Sequence, residues 1–225
     1  MKQGINMKLE LISFKLCPFA QCTIILLNKQ KLDFELNHIN PINPPDWFKQ
    51  ISPTGQVPLL KADGKIIFES SVITEFVNDI SKTNLHPTDP IQKAENRSWI
   101  QFSSTLFDDL FGVVTGDEGK FHTSKKSLFD KLTKVETVKN NAQFFNGDDF
   151  SIIDAAFAPI FMRLDWINEF TNNALLLDEF KHLSAWSKAL LQLDVVKNSV
   201  AEGLGDAYYA NIEAREGYLS TLLID

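Results

Sequence analysis

The chain has 225 residues, of which 44% are hydrophobic and 11% aromatic. That composition excludes a disordered segment and provides for one large domain or two small ones. The formal net charge of -7 argues against nucleic acid as a partner, and no run of eighteen apolar residues suggests a membrane span. Cys17 and Cys22 do not form a C-x-x-C pair or a zinc-ligand spacing, and no secretory leader is evident, so a reducing, cytoplasmic setting is expected. Met1 to Asn6 carry no apolar pattern; frayed ends and a functional start at Met7 are expected.

The first eighty residues change periodicity in the order βαβ, then ββα. Lys8 to Phe14 alternates like a buried strand, and Phe19 to Lys31 has helical spacing. Pro18 stands where a helix tolerates proline best, in its first turn. Asp33 to Ile39 is a short strand and Asn40 to Asp46, with three prolines, a loop. Trp47 to Ile51 is one helical turn. Val57 to Lys61 and Lys65 to Phe68 pair across the Asp63-Gly64 turn. Pro58 is out of place in a strand, and a cis Val57–Pro58 bond would explain it. Val72, Ile73, Phe76, Val77 and Ile80 share a helical face, with Ser70 or Ser71 as the N-cap.

A proline-rich break, His86 to Pro90, reads as a linker, and the rest reads as helix. Ile91 to Phe111 is aromatic-rich; Gly112, Gly116 and Gly119 suggest a loop; Ser124 to Phe145 is a further helix. Ser151-Ile-Ile-Asp154 is a capping box with aspartate in the usual glutamate position. Ala155 to Ile167 is apolar nearly all round, apart from Arg163 and Asp165, as in a buried central helix. Phe180 to Leu193 and Val195 to Gly203 are shorter helices, and Asp206 to Asp225 has enough apolar residues to dock.

Cys17 falls where a strand hands over to a helix N-terminus. Unpaired N–H groups and the helix dipole there favour a thiolate, the nucleophilic form, and a midpoint below that of a free cysteine is expected. The plainer reading of any cysteine is a small buried hydrophobe, and that reading is preferred for Cys22. The four histidines, at positions 38, 86, 122 and 182, have no ligand spacing, so no metal is expected. The helical run Trp99, Phe102, Phe107, Phe111 should be mostly core, with one or two rings open to an apolar pocket.

Three motifs together resemble the cytosolic glutathione transferase superfamily, nearest the omega-class-like bacterial members. They are Cys17-Pro-Phe-Ala20, Ser52-Pro-Thr-Gly-Gln-Val-Pro58 with Glu69-Ser-Ser71 after it, and Ser151-Ile-Ile-Asp154. Pro44-Pro-Asp-Trp-Phe48 and Phe144-Phe-Asn-Gly147 are similar too. The resemblance spans the chain. It implies a thioredoxin-like α/β domain with a mixed four-stranded sheet at residues 7–81, and an all-α helical bundle carrying the electrophile pocket at residues 87–225. It implies glutathione as co-substrate, no metal, a homodimer, and neither nucleic acid nor membrane as partner. Cys17 is then the catalytic nucleophile. Phe19, Val57, Pro58, Glu69 and Ser70 bind glutathione: the Val57 backbone takes its cysteinyl part, and Glu69 with Ser70 its γ-glutamyl end. Thiol transfer, deglutathionylation or dehydroascorbate reduction is expected, with modest conjugation of electrophiles; the alternative is a non-catalytic scaffold. One departure concerns the glycyl carboxylate. A lysine commonly precedes the Pro-Glu/Asp-Trp-Phe run in omega-like relatives, and Pro44 stands there, with Lys49 and Lys61 the nearest cations.

Overall fold

The computed structural model describes residues 7–224; the expected fraying of Met1 to Asn6 lies outside the described residues. Four strands, β1 (Leu9–Ser13), β2 (Glu35–His38), β3 (Leu59–Ala62) and β4 (Lys65–Phe68), form one sheet in the order β2-β1-β3-β4. The β1–β2 pair is parallel and the β1–β3 and β3–β4 pairs are antiparallel, so the sheet is mixed. Helix α1 (Pro18–Gln30) makes the crossover between β1 and β2, as a parallel pair requires. The short α2 (Asp46–Ile51) precedes β3, and α3 (Ser70–Ile80) follows β4. This is the thioredoxin-like arrangement.

The remainder is helical: α4 (Pro90–Thr115), α5 (Glu118–Val138), α6 (Ile152–Phe170), α7 (Lys181–Leu191), α8 (Asp194–Lys197), α9 (Leu204–Ala214) and a closing 3-10 turn, Tyr218–Leu222. Buried Leu26, Leu60 and Ile73 from the sheet half join Phe157, Phe161 and Leu183 from the helical half in one continuous core. Ile12, Ile39, Phe48 and Leu59 form a small second cluster on the other face of the sheet.

Several boundaries differ from the sequence reading for local reasons. The strand expected from Val57 begins at Leu59, because Val57–Pro58 is cis and Pro58 has no N–H to give a ladder. Gly112 lies inside α4, Gly116 is its C-cap, and Gly119 belongs to the first turn of α5, which Asp117 caps through Lys120 N at 2.8 Å. So α5 starts six residues before the expected Ser124 and stops at Val138 instead of Phe145. Lys139 folds back there, and its Nζ donates to the carbonyls of Asn140 (2.9 Å) and Ala142. The helix expected from Val195 to Gly203 is only the four-residue α8.

The capping box at the head of α6 is present. Asp154, fully buried, accepts from Ser151 N (2.8 Å), Ser151 Oγ (2.7 Å), Phe145 N (2.9 Å) and Trp186 Nε1 (2.7 Å). Burial pushes its carboxyl up, and these donors oppose the shift. They also tie α6, α7 and the Phe144-Phe145 turn into one unit.

Candidate active site

Cys17 is the N-cap of α1. Its Sγ accepts from Ala20 N at 3.4 Å, and Pro18 is the first helical residue. Its backbone is anchored by Cys17 N donating to Phe14 O (3.0 Å). The sulfur also points its S–H toward Val57 O, 3.9 Å away. The cis peptide lies directly after that carbonyl.

The sulfur's ionisation differs from the expectation. Cys17 is only 7% exposed, and loss of hydration pushes the thiol up; the N–H groups of Ala20 and Phe19 and the charge of Arg163 oppose this without overcoming it. The helix terminus acts as expected on the thiolate, but burial outweighs it. Cys22 is held more firmly. Burial raises its thiol to about 12, and its S–H donates to Pro18 O (3.4 Å) and Ala156 O (3.8 Å).

Phe19, Val57, Pro58, Glu69 and Ser70 line one cavity of about 270 Å3 between the two halves of the chain. Its walls also carry the hydroxyl-bearing Thr54, Ser71, Thr74, Ser103 and Ser104. Cys17 is not on this wall. It stands behind Val57 and opens instead on a separate cavity of about 260 Å3 with Ser13, His38 and Ser199. Cys22, expected to be plain core, is buried yet borders the first cavity.

Ser70 is the first residue of α3 and not its cap. The cap is Glu69, whose φ of 69° is unusual for a residue with a side chain. The turn leaves the exposed Glu69 carboxylate and the Ser70 hydroxyl on the same cavity wall. Among the described residues no lysine, arginine or histidine lines it. Lys49 pairs with Asp46 (3.1 Å), and Lys61 pairs with Glu10 (3.2 Å) over the Trp47 ring (5.1 Å).

A third cavity, of about 330 Å3, adjoins the first across the Phe19–Phe107 pair, whose rings meet edge to face at 4.9 Å. Phe14, Phe19, Phe107, Phe111 and Tyr208 make it aromatic, and Arg163, Arg215 and Asp108 add charge of both signs. Phe107 and Phe111 thus open on it, while Trp99 and Phe102 pack on one another at 5.3 Å. Phe111, expected among mostly core rings, is 61% exposed. Sequence reasoning gave no role to Arg163 or Tyr208. The one available signal for the arginine was a charge inside an otherwise apolar helix. Among the described residues no group of three or more His, Cys, Asp or Glu side chains could hold a metal, and no helix is long and apolar enough to cross a membrane.

A thioredoxin-like sheet domain with a cysteine at a helix head, joined to a helical domain that completes an adjoining cleft, defines a two-part architecture. Comparison with known proteins makes that architecture specific. Residues 16–80 match the family model for the glutathione S-transferase N-terminal domain, and residues 105–194 that for the C-terminal domain. Glutathione S-transferase omega-1 of Sus scrofa is 30% identical over 82% of this chain and 77% of its own length. Probable glutathione S-transferase DHAR1, cytosolic, of Oryza sativa subsp. japonica is 29% identical over 77% of this chain and 79% of its own. The crystal structure of glutathione transferase Omega 3C from Trametes versicolor superposes with a TM-score of 0.76 at 26% identity, covering 87% of this chain and 90% of that one. The chain belongs to the glutathione S-transferase family of enzymes, and its similarity is to the omega type.

Proposed function

We propose that the protein is a glutathione-dependent thiol transferase whose nucleophile is Cys17. The observation that carries this reading is the sulfur's position: at the N-cap of α1 and in contact with the Val57 carbonyl, whose residue borders the same cavity as Glu69 and Ser70. Glutathione would lie in that cavity. Its cysteinyl part would pair with the Val57 backbone as an added strand. Its ammonium would meet Glu69, and its α-carboxylate would meet Ser70 and the head of α3.

The chemistry then has two exchanges. The Cys17 thiolate attacks the glutathione sulfur of a mixed disulfide; a Cys17–glutathione disulfide forms, and the other thiolate leaves. A second glutathione thiolate attacks that bound glutathione's sulfur, releasing oxidised glutathione and restoring the Cys17 thiolate. Ala20 stands where a resolving cysteine would, so an external thiol is needed. Similarity to an omega-1 and a DHAR1 protein supports deglutathionylation and dehydroascorbate reduction above conjugation. The glycyl end would be held by Gln56, Gln101 or a cavity-wall hydroxyl, since among the described residues no cation lines the cavity.

Cys17→Ala should abolish glutathione-dependent reduction of hydroxyethyl disulfide, and Glu69→Ala should raise the KM for glutathione with little change in kcat. Activity persisting in Cys17→Ala would place the nucleophile elsewhere. The second reading, a non-catalytic scaffold, is favoured by one observation, the burial that holds the Cys17 thiol up. It predicts no mixed disulfide when whole-protein mass is measured after incubation with oxidised glutathione.

A further inference from the structure

Arg163 sits mid-way along α6 and is 3% exposed. A guanidinium so buried ordinarily needs a carboxylate. Among the described residues it has none within ion-pair distance. It donates instead to three neutral oxygens: Nη1 to Gln21 Oε1 (2.8 Å) and Pro159 O (2.9 Å), and Nη2 to Leu16 O (3.0 Å). The Tyr208 ring centre lies 5.9 Å from its central carbon.

Two of those oxygens bracket Cys17. The Leu16 carbonyl shares a peptide unit with the Cys17 N–H, which itself donates to Phe14 O at 3.0 Å. The peptide entering Cys17 is therefore gripped from both sides. Gln21 is one turn further along α1, where its N–H donates to Cys17 O (3.2 Å). The guanidinium thus holds the residue before the sulfur and the turn after it, reaching from the helical half of the chain into the sheet half.

Neutral oxygens only partly offset a buried positive charge. Three ionisable groups feel this one: Tyr208, Cys17 and Cys22. Burial pushes all three up, Tyr208 and Cys22 to about 12, but only the Cys17 sulfur also accepts from an N–H of the helix head, Ala20 N at 3.4 Å. Cys17 is left. We propose that Arg163 is the positioning residue and standing counter-charge of the Cys17 thiolate, fixed across the domain junction by Leu16 and Gln21. The proposal rests on Cys17 being the nucleophile. It assigns the arginine a part in both exchanges, since the sulfur's charge disappears in the mixed disulfide and returns when glutathione displaces it.

The test is the pH profile of iodoacetamide alkylation of Cys17 in a Cys22→Ser background, with kcat and KM for glutathione measured alongside. Arg163→Gln should move the alkylation midpoint upward and lower kcat while KM stays within about twofold; each unit of rise removes about tenfold of the thiolate at neutral pH. Gln21→Glu should act in the same direction, because it sets a carboxylate against the guanidinium without changing volume. Arg163→Lys should fall between the parent and the glutamine variant, since a buried ammonium keeps part of the charge but not the fork that holds Leu16 and Gln21. Profiles of Arg163→Gln and Gln21→Glu that overlay the parent's would overturn the proposal. So would a lysine variant displaced as far as the glutamine one, since geometry alone would then be at work. Should Arg163→Gln fail to fold, Gln21→Glu decides. Failure of the underlying reading is seen separately, as activity that survives Cys17→Ala.

Discussion

Cys17 and Cys22 lie five residues apart, and both are buried, yet their surroundings differ in what opposes burial. Cys17 has two backbone N–H groups and a guanidinium working for its thiolate; Cys22 has the guanidinium but donates its S–H to carbonyl oxygens. The second thiol, near 12, is a stability group for the alkaline side. In the unfolded chain a cysteine ionises at about 8.5. Between that pH and about 12 the unfolded state has lost a proton that the folded state keeps, so stability falls as pH rises. Urea midpoints at pH 8 and pH 10 should therefore separate more for the parent than for Cys22→Ala. Equal separations would mean that Cys22 ionises as easily folded as unfolded. At this scale the sequence located the candidate sulfur, since Pro18 and the strand-to-helix change are local features. It misjudged the ionisation, because hydration loss is set by residues far along the chain.

The α4–α5 pair shows how a residue with no side chain can belong to an element and not to a loop. Gly112 lies where a Cβ would meet Ser124 Oγ at 2.2 Å and Ser124 Cβ at 3.0 Å. The two helices approach closely at that point, and glycine is what allows it. Read from the sequence, three glycines in eight residues meant a break; in the fold only Gly116 ends a helix. Gly112→Ala should destabilise by up to about 2 kcal/mol, the crowding of about 1–3 kcal/mol being offset by alanine's helix-propensity gain of about 1 kcal/mol. Chemical denaturation would measure it, and adding Ser124→Ala should recover most of the loss. An alanine variant more stable than the parent would mean that the helices part at little cost. Elements with strong local signals, such as the Asp63-Gly64 turn and the Ser151 capping box, were legible in advance. The end of α5 was not, because Lys139 closes it by turning back on two carbonyls, an arrangement with no sequence signature.

Across the whole molecule, one continuous core joins the two halves, and the cleft exists only where they meet. Outside that core, Phe68 (37% exposed), Val72 (51%) and Ile91 (70%) leave apolar surface on β4, α3 and α4. That surface fits the homodimer that the family resemblance implies. Sedimentation of the 25.5 kDa chain should then give a species of twice that mass, and Val72→Asp with Ile91→Glu should give the monomer. A parent that sediments as a monomer at micromolar concentration would remove the dimer from the account. The sequence by itself determined the order of strands and helices, the proline that closes the β3 ladder, and the place of Cys17 at a strand-to-helix change. Each depends on neighbours within a few positions. The tertiary structure alone decided that Cys17 stands behind Val57 and off the cavity wall, that burial outweighs the helix terminus at its sulfur, and that Arg163 reaches the carbonyl just before it from far along the chain. Solvation and long-range charge depend on what surrounds an atom in space, and no local pattern along the chain encodes that.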